Sequence, residues 1–139
     1  MKTLIVAAVA LTVVGTVGCC KTTTSVETGS AVVPVGDLVL EYQRDADRAN
    51  AKYRDRRIRV QGIYKSKLTR DDDSVIGIAL AGSNYAGVRV EVRDCAGLEF
   101  RPEYDARLRA LTDNQNVSAE CTVVGKAAYV MLNDCILLN

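Results

Sequence analysis

The spacing of apolar positions changes repeatedly along the chain, and each change predicts an element. Behind Lys2, residues Leu4 to Val17 form a nearly unbroken apolar run of about 14 residues, short of the roughly 20 needed to cross a bilayer, so residues 1–18 read as a signal peptide. Residues 19–36 lose all periodicity in favour of Thr, Ser, Val and Gly, with Pro34 near the end, and read as a flexible tether. A folded domain is expected over 37–139. Asp37 is a suitable N-cap, and Leu38, Tyr42, Ala46, Ala49 and Tyr53 recur at spacings of four and three, predicting one amphipathic helix. Glu41, Arg44, Asp45, Arg48 and Lys52 occupy its solvated face.

Alternation replaces helical spacing in "RRIRVQGIYKSKL", where Ile58 and Val60 share a face and Gly62 permits a bend, predicting a first strand. After the polar turn "TRDDDS", "VIGIALAG" predicts a second strand. "GVRVEVRD" predicts a third, with Val88, Val90 and Val92 inward and Arg89, Glu91 and Arg93 outward. Tyr104, Leu108 and Leu111 then mark a short helix behind Pro102, and "VSAECTVVGK" with "AAYVMLNDCILL" predicts a closing hairpin turned near Gly125.

Three strands, a helix and two strands is the order of a five-stranded OB-fold barrel, here with an added N-terminal helix, so the fold class is mainly β. "EYQRDADRANAKYRDRRIRVQGIYKSK" and "VSAECTVVGKAAYVMLNDCIL" carry a further signal. In both stretches the chain resembles the bacterial tRNA-anti-like OB-fold family: a helix ending in Ala, three residues and Tyr leads into a basic–apolar strand, and the last hairpin closes on Leu, polar, Asp, Cys. The resemblance implies the OB fold and an exported location. It brings no ligand residues to carry over.

The apolar leader ends in Gly15-Thr16-Val17-Gly18-Cys19, small or apolar side chains ahead of a cysteine, as a lipoprotein peptidase requires. Cys19 is the expected lipidation site, with an ordinary signal peptide or an uncleaved anchor as the alternatives. Cys20 follows where Asp would signal inner-membrane retention, so an outer-membrane position is expected in a Gram-negative host. Export also exposes the remaining cysteines to oxidation. Cys121 and Cys135 flank a midpoint at residue 128, and a hairpin turned there sets them opposite each other as a disulfide pair. A buried free pair and a pairing through Cys95 are the alternatives.

Composition narrows the chemistry. The chain has no His, the commonest general base and metal ligand, and no phosphate-binding Gly loop or nucleophile elbow, so no enzyme, cofactor or metal site is expected. "DDDS" at 71–74 lacks the ligand spacing of a calcium loop and reads as a solvated turn. Without Lys2 the chain keeps 17 basic residues against 17 acidic, a balance that disfavours nucleic acid. Tyr64, Tyr85, Arg89, Arg93 and Tyr129 are the candidate ligand face, though aromatic residues make up only 5% of the chain and Glu91 separates the two arginines. The expected role is a lipid-anchored envelope binding module whose ligand is a protein or a glycan. A nucleic-acid-binding OB domain is the alternative.

Overall fold

The computed structural model describes residues 31–139. Its elements run β1 (Val32–Pro34), α1 (Val35–Arg44), α2 (Ala46–Tyr53), β2 (Arg57–Thr69), β3 (Val75–Ala81), β4 (Cys95–Phe100), α3 (Asp105–Arg109), β5 (Asn116–Lys126) and β6 (Val130–Leu137). Strands β2, β3, β4, β6 and β5 pair in that order and β5 returns to β2, closing a five-stranded barrel. Within the barrel all pairs are antiparallel except β4 with β6. With α3 lying between β4 and β5, this is the OB-fold.

Closure depends on β2. Its first half pairs with β5 through Arg57 to Ile63, and its second half pairs with β3 from Ile63 to Thr69, with a bulge between Tyr64 and Ser66. A strand that bends onto two neighbours needs a residue without a side chain at the bend. Gly62 supplies it, because a Cβ there would lie 2.7 Å from the Ala81 carbonyl oxygen and 3.0 Å from Val35. The barrel interior is filled by Val60, Ile78, Leu80, Leu98, Val117, Val123 and Leu132, with Leu38 and Tyr42 of α1 and Leu108 of α3 packed against them.

Four expectations need correction. The single helix over 37–53 is two: Asp45 adopts an extended backbone, and its carboxylate accepts from the Arg48 N–H to cap α2, which leaves Ala46 exposed. Order begins before residue 37, because β1 pairs in parallel with Arg59 to Gln61 and Val35 is fully buried; residues 32–36 belong to the domain rather than to a tether. The expected signal peptide, 1–18, and residues 19–30 of the expected tether lie outside the described residues. The final hairpin turns at 127–129, where Lys126 meets Val130, and Gly125 sits within β5 beside a register shift.

The fourth concerns the third strand. "GVRVEVRD" is not in the barrel; Cys95–Phe100 is. Strand β4 lies between β3 and β6, with Ala96, Leu98 and Phe100 toward the core, while Cys95 on its outer face is covered by the loop that precedes it. A strand buried on both faces reads as an unbroken apolar run, so alternation pointed to the covering segment and missed the covered one.

Candidate functional site: a cleft on the outer barrel face

Register builds the floor of the site. Ser66 of β2 pairs with Ala79 of β3, and Ala79 pairs with Gly97 of β4, so small residues line up across three strands on the outer face. Their inward neighbours Ile78, Leu80 and Leu98 are large, which gives β3 and β4 an alternation of large inside and small outside. Tyr129, at the β5–β6 turn, lies on Gly97 so closely that a Cβ at position 97 would overlap its ring. Residues 83–94 cross the same face, where half-buried Tyr85 and Val90 pack on an apolar patch of Ile63, Ala79, Ala81 and Cys95. Between this loop, Leu68 and Tyr129 a cleft of about 430 Å³ remains open.

The loop is fastened at both ends. The Lys65 ammonium donates to the carbonyl oxygens of Tyr85 and Val88 and to Asn114 Oδ1, and Asn114 Oδ1 also accepts from the Gly87 N–H. Three donors meet three acceptors, so Lys65 is a tie rather than a charge offered to a ligand. At the other end Gln43 Nε2 of α1 donates to the Arg93 carbonyl oxygen and to Asp94 Oδ1. Arg89 and Asp113 line the cleft with no ion-pair partner among the described residues. The Cys95 thiol forms part of the wall, and burial pushes its pKa up, which favours the protonated thiol.

The predicted ligand residues separate. Arg89 and Tyr129 line the cleft together. Arg93 lies outside it, exposed and paired through Nε with Glu91 at 2.8 Å. Tyr85 supports the loop from beneath. Tyr64 is 5% exposed and faces the core on the same side of β2 as Ile58 and Val60, so it is no ligand residue. Cys121 and Cys135 are joined, with Cα atoms 4.2 Å apart. Cys19 lies outside the described residues. The "DDDS" segment is a turn in which Asp72 accepts from the Ser74 backbone and hydroxyl, and no metal-ligating cluster occurs among the described residues. Sequence reasoning missed Lys65, Ser66, Leu68, Ala79, Asp113 and Asn114. The signal for the floor was present in Gly77, Ala79 and Ala81, small residues alternating with Ile78 and Leu80.

A family profile described as tRNA_anti-like matches residues 1–136. Among solved structures the chain is similar to a Klebsiella pneumoniae lipoprotein named as a presumed nucleic acid binder, with a TM-score of 0.61 at 10% identity, over 81% of this chain and 100% of that one. A DUF3299 family protein from Pseudomonas aeruginosa matches with a TM-score of 0.40 at 10% identity, over 81% of this chain and 87% of that one. No curated protein matches the chain.

Proposed function

The chain belongs to the tRNA_anti-like family, and from that premise we propose that it is a binding module of the bacterial cell envelope, held to a membrane by a lipid on Cys19. Its ligand enters the cleft beside Tyr129. One observation carries the site: the cleft lies on the face of β3 and β4, the second and third barrel strands, beside the turn between the last two strands, where barrels of this fold take their ligands. Valine and leucine walls with, among the described residues, one tyrosine, one unpaired guanidinium and one unpaired carboxylate suit an envelope protein segment or a glycan better than a polyanion.

Nucleic acid is the second reading, favoured by the description of the Klebsiella lipoprotein. Against it stand the 17-to-17 charge balance, the carboxylate of Asp113 in the same cleft, and Tyr129 as the only aromatic residue lining it among the described residues. Single-stranded oligonucleotides are expected to bind no tighter than about 10 μM at physiological salt. Micromolar or better affinity, lost in Arg89→Ala, reverses the preference. The anchor is tested by mass spectrometry of the N-terminal peptide from membranes: an acylated Cys19 is expected, and a Cys19→Ala protein that still partitions fully with membranes contradicts it.

A further inference from the structure

The polar groups around the cleft divide into those that hold the protein together and those that are still available. Lys65 gives its three donors to the Tyr85 and Val88 carbonyl oxygens and to Asn114 Oδ1, and that same Oδ1 accepts from the Gly87 N–H. Among the described residues, the Asn114 Nδ2 amide, the Ser66 hydroxyl, the Arg89 guanidinium, the Asp113 carboxylate and the Tyr129 hydroxyl take part in no side-chain hydrogen bond or ion pair, and all five residues line the one cleft. Leu68, Ala79, Val90 and Cys95 supply apolar wall beside them.

This set of groups sorts ligands by charge. A guanidinium only donates, a carboxylate only accepts, and a hydroxyl does both. A polyanion drawn to Arg89 is repelled by Asp113, and a polycation the reverse, whereas a neutral polyhydroxyl ligand donates to Asp113 and accepts from Arg89. The floor also disfavours an extended peptide. Ala79 pairs with Ser66 on one side and Gly97 on the other, and Gly97 pairs with Ala79 and Met131, so a peptide laid there finds no strand edge to add to.

Hydroxyl groups alone would leave the apolar wall uncovered. An acetamido group suits it, with a methyl for the wall and a carbonyl oxygen that accepts from Asn114 Nδ2, while the half-exposed Tyr129 offers a sugar ring an apolar body and a polar tip. We propose that the cleft takes a neutral glycan whose units carry N-acetyl groups. The proposal rests on the reading of the cleft as the ligand site. Its volume of about 430 Å³ accommodates a short stretch of such a strand.

The test titrates the full chain, purified in detergent, with a linear tetramer of N-acetylglucosamine and with the matching tetramer of glucose, which lacks the acetamido groups. The N-acetylated tetramer should bind at least about tenfold tighter, shift the Asn114 side-chain amide and Tyr129 ring signals in NMR spectra, and hold its affinity as salt is raised. Arg89→Ala and Asp113→Ala, both at exposed positions, should each weaken it about tenfold with the melting temperature unchanged. No binding of the N-acetylated tetramer, equal binding of the glucose tetramer, affinity indifferent to both substitutions, or a steep fall with salt overturns the proposal. Crosslinking at position 129 in cells separates its failure from that of the reading beneath it: a protein adduct there with no glycan bound in the titration removes the glycan and keeps the cleft, and no adduct above the control position removes the cleft itself.

Discussion

Tyr129 lies over Gly97, filling the space that any side chain at position 97 would take. The ring comes from the β5–β6 turn and is half exposed, so it can swing aside when crowded. Gly97→Ala is therefore expected to cost under about 1.5 kcal/mol, the low end of overpacking penalties, while moving the ring off the cleft floor. NMR of the Tyr129 ring protons reads this directly. A large stability loss with unchanged ring shifts would show that the ring is not free to move.

The Cys121–Cys135 bond closes a loop of about 15 residues across the last hairpin, which corresponds to roughly 3 kcal/mol in the chain-entropy description. Replacing both residues by Ala should lower the melting temperature by roughly 10 to 20 °C. The bond leaves neither residue a free thiol, so neither should be alkylated without reductant, even in denaturant. Full alkylation of native, unreduced protein would contradict the bond.

Asp105 holds α3 to the start of β3. Its carboxylate accepts from Arg109 Nε at 2.8 Å and from the Val75 N–H at 3.0 Å, and these two bonds hold its pKa below the usual aspartate value. A carboxylate depressed in the folded state contributes stability in full above the ordinary aspartate range, and the contribution is lost as pH falls into and below it. Asp105→Asn should therefore melt earlier than the parent at pH 7, with the difference fading toward pH 2. A difference that persists undiminished in acid would assign it to packing.

Lys65 ties the loop through Tyr85, Val88 and Asn114. Lys65→Met keeps the stem and removes the three donors. Hydrogen exchange at the Gly87 and Val88 amides should quicken by about tenfold, a local opening, while amides of β5 keep their protection. Equal acceleration throughout would place Lys65 in global stability instead.

Those sequence features with one structural cause were legible. Ile58 and Val60 alternate because β2 has one buried face at its start, and the midpoint between Cys121 and Cys135 located the turn that Gly125 misplaced. The third strand was not legible, because β4 is covered on both faces and its apolar run carries no alternation. Alternation was instead strongest in Val88 to Val92, which pair with nothing inside the domain. At the site, Arg89 and Tyr129 were found by residue type. Tyr64 was misassigned because it was chosen by residue type; the alternation of Ile58 and Val60, carried on two residues at a time, puts it in the core. Lys65 and Asn114 escaped because their role is to hold a loop contributed by distant residues.

The central claim, a ligand received beside Tyr129, is tested most directly by position-specific crosslinking in intact cells. A photo-crosslinking phenylalanine derivative replaces Tyr129 in the full chain, and Leu40, 47% exposed on α1, serves as the control position. Irradiation should join position 129, and not position 40, to an envelope protein or glycan strand heavier than the chain itself. Adducts at 129 no more abundant than those at 40, or adducts with nucleic acid, would contradict the account.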